Sequence, residues 1–530
     1  MAGRYDVIVV GSGFGGAVTA CRLAQAGRKV AVLERGREWS PADYPRAPCD
    51  AWLWDNDRPQ ACNGWIDLRN FGDMSVVQGA GVGGGSLIYA NIFVEAEPFA
   101  FESGWPADIT FEMLRPHYAE TGRMLGVQEL PDGQLSERFK LMREGAEKIG
   151  ARDRFRKLPM AVTFDADWTY DLPDAHGPHH SKVWTNPQGQ QQGTCIHCGN
   201  CDIGCQVRAK NTLDLNYLAA ARQAGAEIHA NHIVRSLVPI ADEGFLLQVE
   251  RIEDGRLVPV DLEADRVVLA AGSLGSTELL LRCRDEYRTI AGLSKRLGHG
   301  WCSNGDFLTP ALYRDREICP TRGPTITCAI DFLDGSESGN RFFVEDGGFP
   351  DVLGNSVEEA AATLSRANPG LAELFVKAGT TARGRNALSR LMPWFGQAVD
   401  MPDGTFSLKR PWWKPWGEKR LHLDWPFQRS EAAIQGLSDM HDKLSRATGG
   451  IPIEPFTWSM LRNLITPHPL GGCNMADSPE QGVVDSRGRV FGQPGLYVAD
   501  GSIVPRALGL NPSRTIAALA EHIAAAIIAE

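Results

Sequence analysis

The sequence predicts an α/β protein in which a doubly wound, Rossmann-type nucleotide-binding unit shares the chain with an α+β unit built on an antiparallel or mixed sheet. Three observations predict it. An apolar strand, Val7 to Val10, runs into Gly11-x-Gly13-x-x-Gly16 and then into a helical pattern at Ala17, Ala20 and Leu23. A second apolar strand, Val30 to Leu33, ends in an acid, Glu34, 23 residues beyond Gly11. From about Leu308 to Trp458 the pattern changes to short strands of alternating polarity, including Thr325 to Phe332, Arg341 to Val344, Thr405 to Lys409 and Arg420 to Trp425.

Each part of the opening motif has a mechanical reason. Gly11 allows the tight turn, Gly13 lets the backbone come close to a pyrophosphate, and Gly16 lets the helix pack on the strand while its first N–H groups face the anion. A carboxylate where Glu34 stands accepts hydrogen bonds from a ribose diol and repels a phosphate on that ribose. Composition adds bounds. With 530 residues, 43% hydrophobic and 22% charged, the chain is long enough for two domains and has the balance of an ordinary globular protein. A formal net charge of −11 argues against a nucleic-acid partner. No apolar run approaches the length of a transmembrane helix and no signal peptide is legible, so a cytoplasmic protein with reduced thiols is expected.

After Glu34 the text is irregular, with Pro41, Pro45, Pro48 and Pro59, and reads as a long covering segment. Gly79-Ala-Gly-Val-Gly-Gly-Gly-Ser-Leu-Ile-Tyr-Ala-Asn91 follows; its small residues let the backbone pass close to a phosphate or a flat ring system. Helical pieces such as Phe111 to Leu125 lead to a polar stretch with His176, His179 and His180, which reads as an exposed loop rather than a metal site. Cys195, Cys198, Cys201 and Cys205 have the C-x2-C-x2-C-x3-C spacing of an iron–sulfur ligand run, but Gln206 stands where such runs have proline. Buried thiols without metal rank ahead of an iron–sulfur cluster, and zinc behind it. A helix from Leu215 to Ala224, a returning strand from Ala226 to Val234, a buried strand from Arg266 to Gly272 and a helix from Ser276 to Arg282 complete this half. Further on, helices are expected at Val357 to Leu364 and Leu371 to Lys377. Pro411-Trp-Trp-Lys-Pro-Trp416 reads as a hairpin loop with packed indoles, with transient membrane contact as the alternative.

The opening glycine turn with Glu34, the GAGVGGGSL stretch, Ala270-Ala-Gly-Ser-Leu-Gly275, His468-Pro-Leu-Gly-Gly, Asp500-Gly501 and Asn511-Pro512 together resemble the glucose-methanol-choline oxidoreductase family, in its cholesterol-oxidase-like branch. The resemblance spans nearly the whole chain. It implies an FAD-binding domain at residues 1–100, 186–307 and 459–530, interleaved with a substrate domain at 101–185 and 308–458. It also implies oxidation of an alcohol by hydride transfer to flavin N5. The positions it places at the cofactor are Gly11, Gly13, Phe14, Gly15, Gly16, Glu34, Gly79, Gly81, Gly85, Ser86, Tyr89, Asn91, Ile92, Val234, Gly272, Asp500, Gly501, Asn511 and Pro512. Tyr89, Ala90 and Ile92 depart from the asparagine, glycine and methionine more usual near the isoalloxazine. No histidine lies between Gly79 and Asn91, which points to non-covalent FAD.

Oxidising an alcohol requires removal of the hydroxyl proton while the carbinol hydride leaves. His468, rigidly set between Pro467 and Pro469, is the candidate for the proton, and the resemblance matches it to the family's catalytic histidine. The resemblance matches Asn511 to that histidine's partner at the flavin edge. It also matches Glu345, beside Asp346, to the carboxylate that moves a steroid double bond. The expected substrate is an apolar alcohol, most of all a sterol or 3-hydroxysteroid, with a long-chain or terpenoid alcohol, or steroid double-bond isomerisation without net oxidation, as the alternatives. The oxidant is oxygen or another acceptor, and an electron-transfer protein using the cysteine cluster is the rival from a different class.

Overall fold

The computed structural model describes residues 4–47, 49–240, 244–337, 339–350, 352, 388–410, 416–453 and 464–530. The expected helices at 357–364 and 371–377, and Pro411 to Pro415 of the tryptophan-rich loop, lie outside these residues; Trp416 is exposed.

The central sheet has seven strands, and its core is parallel. Glu227–His229, Val30–Leu33, Tyr5–Val10, the second half of Arg256–Leu269, and Leu496–Val498 lie side by side in that order. Val7 to Val10 are buried on both faces, which is why the run is continuously apolar rather than alternating. The order brings three strand ends from distant parts of the chain together at Gly11, Ala270 and Ala499. Two glycines make the contact possible. Gly11 has φ of +100°, and a Cβ there would stand 2.4 Å from the Ala270 carbonyl oxygen; one on Gly15 would stand 1.7 Å from that of Ala499. Helices Phe14–Gln25 and Ser513–Ala529 pack against each other beside this junction.

Two stretches differ from the expectation. Ala226 to Val234 is not one strand but two, Glu227–His229 parallel to Val30–Leu33 and His232–Ile240 antiparallel to Gly244–Glu253. Asn231, with φ of +61°, turns the chain between them, a conformation asparagine tolerates. The covering segment after Glu34 also contains a sheet, formed by Leu53–Trp54, Ile66–Asn70, Met74–Gly79 and Leu464–Thr466. Its hairpin turns at Gly72, φ +96°, and its buried Asp67 accepts from Arg35 at 2.7 Å and from Arg69. Arg69 also reaches Glu278, on the helix Gly272–Leu281, so the hairpin is tied by charge to the nucleotide-binding half.

The alternating strands form two sheets. Gly404–Lys409 and Arg420–Asp424 pair with His299–Trp301 in a three-stranded sheet. The larger sheet is antiparallel throughout, in the order Ile451–Pro452, Phe307–Leu312, Leu391–Ala398, Phe342–Asp346, Cys328–Asp331, Phe155–Lys157. Alternation along Phe342–Asp346 sends neighbouring acids to opposite faces. Asp346, with its cross-strand partner Trp394, faces the helix Glu137–Lys148, whose buried Arg138 ion-pairs with it and donates to the carbonyls of Thr325 and Pro324. Glu345, opposite Phe395 and Ala329, faces the other way, in a row continued by Leu308. Among the described residues no helix is long and apolar enough to cross a membrane.

Arg138 compensates a buried carboxylate, so its loss leaves that charge unpaired. Arg138→Met is expected to destabilise the fold by about 3–5 kcal/mol in urea unfolding, whereas the double change Arg138→Met with Asp346→Leu recovers most of the loss.

Candidate active site

The opening glycine turn is held from two sides. Glu34 is buried, and its Oε2 accepts from the Ser12 backbone N–H at 3.1 Å and the Ser12 hydroxyl at 2.6 Å, while Oε1 accepts from the Gly36 N–H. The Ser12 Oγ in turn accepts from the Gly83 N–H at 3.0 Å, joining the first glycine turn to the second glycine loop. Ser12 was not singled out from the sequence, since a serine between two glycines carries no signal of its own. In the second loop, a Cβ on Gly79 or Gly81 would strike backbone or the Trp39 ring. Ser86 donates to the Gly83 carbonyl and accepts from the Leu213 N–H. Tyr89 packs edge-on against Phe14, ring centroids 5.5 Å apart, and donates its hydroxyl to the Asn211 carbonyl. Asp500 is buried and bridges the strand ends, accepting from the Gly272 N–H at 2.9 Å and from the N–H of Ser502, next to Gly501. Burial pushes its carboxyl upward against these hydrogen bonds. Val234 sits at a bulge in the edge strand His232–Ile240.

These residues fit FAD. The helix Phe14–Gln25 starts with no side chain capping its free N–H groups and no acid in its first turn, an arrangement suited to a pyrophosphate. Open space stands where side chains on Gly13 and Gly85 would be. Asn91, fully buried with φ of +67°, has both side-chain polar atoms without a partner, and so has Oδ1 of buried Asn511. Ile92 is buried beside Asn91, and its carbonyl lies 3.4 Å from the Ser513 hydroxyl, at the start of the last helix. Pro512 precedes that helix, which is also uncapped by any side chain. Unpaired buried polar atoms are costly, and a bound ring with hydrogen-bonding edges satisfies them.

His468 follows the strand Leu464–Thr466. Its Nδ1 lies 2.7 Å from Oδ1 of Asp306, a fully buried carboxylate that also accepts from the Thr466 hydroxyl. The Thr466 Oγ1 accepts from the His468 backbone N–H, so ring and backbone are held by one pair of side chains. Asp306 immediately precedes the strand Phe307–Leu312. Nothing in the text shows that it faces a histidine 162 positions away. Glu345 is fully buried. Its Oε2 accepts from Gln397 Nε2 at 2.9 Å, and its Oε1 has no partner. Burial pushes its carboxyl up to about 8; hydrogen bonds from Gln397 and Asn511 oppose the shift, and the charges of Asp346 and Asp306 add to it. The fold therefore gathers His468, Asp306, Glu345, Gln397 and Asn511 into one neighbourhood. Asp346, one residue on, faces the other side of the strand, where it pairs with Arg138.

Cys195, Cys198, Cys201 and Cys205 are free thiols, and among the described residues no group of three or more His, Cys, Asp or Glu side chains is arranged to hold a metal ion. The segment turns through left-handed residues at His197, Gly199 and Gly204. Cys195 accepts from the His197 N–H and Cys205 from the Ala209 N–H. Burial raises the thiols of Cys195, Cys198 and Cys201 rather than lowering them toward thiolate. His176 and His180 are engaged with backbone carbonyls.

Comparison with known proteins agrees with this geometry. Residues 177–283 and 402–520 match the two models described as GMC oxidoreductase, and residues 9–41 match an NAD(P)-binding Rossmann-like domain. A cholesterol oxidase of Mycobacterium tuberculosis is 32% identical, with 98% of this chain and 90% of the relative covered. One from Acinetobacter baumannii is 29% identical, covering 98% and 93%. Among solved structures, pyridoxine 4-oxidase from Mesorbium loti superposes with a TM-score of 0.64 at 16% identity, over 99% of this chain and 100% of the other, and so shares the fold.

Burial keeps the Glu345 carboxyl protonated to higher pH than an ordinary glutamate. A carboxyl whose folded pKa is raised from 4.5 to about 8 contributes stability at low pH that is lost as pH rises through that window. The wild-type protein is therefore expected to lose stability relative to Glu345→Gln between about pH 5 and about pH 8.5 in urea titrations, the gap widening with pH. Taken together, the glycine cradle, the His468–Asp306 pair and the full-length identity to oxidases show that the chain belongs to the GMC oxidoreductase family, as an FAD-dependent enzyme that oxidises alcohols.

Proposed function

We propose that the substrate is a sterol or 3-hydroxysteroid, oxidised at its hydroxyl to a ketone, with migration of the ring double bond as a second step. The observation that carries this reading is Glu345. A carboxyl buried among Phe343, Phe395 and Gln397, with one oxygen unpartnered and its pKa near neutrality, suits the shuttling of a proton between two carbon atoms of an apolar substrate. The cholesterol oxidases reported above support the same substrate class.

The division of labour follows from the hydrogen bonds. With Nδ1–H donated to Asp306, His468 keeps a lone pair on Nε2, which takes the hydroxyl proton as the carbon–hydrogen bond breaks. Bound FAD supplies the hydride acceptor, and oxygen or another oxidant then removes the electrons. The Asn511 amide orients the hydroxyl and, through its contact with Glu345, joins the two proton-handling groups. Glu345 in its ionised form removes a proton from the carbon beside the new ketone and returns it further along the conjugated system. Leu308 and Phe395, in the same row as Glu345, offer apolar surface to the substrate body. The division into an FAD-binding domain at 1–100, 186–307 and 459–530 and a substrate domain at 101–185 and 308–458 belongs to the same proposal.

Anaerobic addition of a 3β-hydroxysterol to the purified holoenzyme is expected to bleach the visible flavin band, with ketone formed in equal amount. A flavin that stays oxidised with sterols but bleaches with long-chain alcohols would overturn the substrate assignment. Glu345→Gln is expected to keep oxidation while product analysis shows the unshifted double bond, at least about 10²-fold less isomer per ketone formed.

A further inference from the structure

Lys210 is an unusual residue to find in a core. It is 1% exposed, and among the described residues no carboxylate lies within ion-pair distance of its ammonium. Its three N–H donors instead go to backbone carbonyls, those of Leu87 at 2.9 Å, Tyr89 at 3.2 Å and Cys201 at 2.7 Å. The ammonium also stands 4.9 Å from the centroid of the Tyr89 ring. The buried carboxylates of Asp202 and Asp214 attract the ammonium from beyond ion-pair distance, but its hydrogen bonds all go to carbonyls, and a buried cation costs more to desolvate than an apolar side chain of the same length.

Its acceptors indicate what it does. Leu87 and Tyr89 lie between Gly85, where open space replaces a side chain, and Asn91, whose buried amide has no partner. The neighbouring Gly84 is packed against Gly13 of the opening turn. The third acceptor, Cys201, belongs to the cysteine turn. That turn is itself anchored, with Arg46 donating to the Ile203 carbonyl and the Trp65 indole to that of Asp202. Lys210 thus fastens the inner loop of the cofactor cradle to a rigid turn behind it. We propose that Lys210 is a positioning residue for the flavin: its ammonium clamps the loop from Gly85 to Asn91 and places a positive charge behind it that favours the reduced, more negative cofactor. This rests on FAD occupying the cradle described above. Asp202, next to the clamp and with one carboxylate oxygen unpartnered, opposes part of that charge.

The test uses the full-length holoenzyme as wild type, Lys210→Met, Lys210→Arg and Asp202→Asn. The readouts are the flavin midpoint potential in anaerobic dye-coupled titrations, the visible spectrum and the FAD dissociation constant. Lys210→Met is expected to weaken FAD binding about tenfold or more, alter the fine structure of the flavin band and shift the potential negative. Lys210→Arg keeps the charge and is expected to restore the potential. Asp202→Asn, which leaves the three hydrogen bonds intact, is expected to shift it positive. A folded Lys210→Met protein with wild-type potential and spectrum would overturn the proposal, as would equal shifts of the same sign in Lys210→Met and Asp202→Asn. Should Lys210→Met fail to fold, an unchanged potential in Asp202→Asn overturns it. Wild-type protein that binds no FAD would instead refute the cofactor site itself.

Discussion

The close approach of backbone to backbone at the ends of three parallel strands is the constraint on which the rest of this structure depends. Gly11 and Gly15 leave no room for a side chain between the opening turn and the carbonyls of Ala270 and Ala499. Those carbonyls come from distant parts of the chain, so the contact joins three far-separated segments within one sheet. Asp500 completes the joint by accepting from Gly272 and Ser502. The same joint leaves two helix N-termini, those of Phe14–Gln25 and Ser513–Ala529, without side-chain caps and turned to one region. Uncapped helix N-termini of this kind suit an anionic group.

Buried charge is the second organising element, and partners decide what each charge does. Asp346 and Glu345 are adjacent, equally buried and carry the same functional group. Alternation along one strand gives Asp346 to Arg138 and leaves Glu345 among apolar side chains and amides. The first becomes a structural ion pair, the second a carboxyl poised near neutral pH. Asp306 shows a third outcome, a carboxylate spent on fixing one face of an imidazole. Lys210 extends the pattern to a cation held by carbonyls.

Much of this was legible in the sequence wherever function depends on local spacing. Gly11 to Glu34 announces a nucleotide turn because each glycine and the acid act within one βαβ unit. Gly79 to Asn91 does so because small residues are needed wherever a backbone meets a ring. What could not be read depends on partners far apart in the chain. Asp306 meets His468 across 162 residues, and Ser12 binds Gly83 across 71. The hairpin Ile66–Gly79 was hidden by the proline-rich text before it, and Asn231 broke an apparently continuous strand. The cysteine spacing left two readings open. Spacing allows convergence on a metal but does not compel it, and among the described residues no group of three or more possible ligands is arranged to hold one.

In the proposed reaction His468, oriented by Asp306, takes the hydroxyl proton while the flavin is reduced. The most direct measurement is the limiting rate of flavin reduction by the alcohol, followed by stopped-flow absorbance across pH in wild-type and Asp306→Asn holoenzymes of matched FAD content. The account predicts a fall of about 10²–10⁴-fold in the variant with a displaced pH profile, at unchanged flavin spectrum. An unchanged limiting rate and pH profile would contradict it.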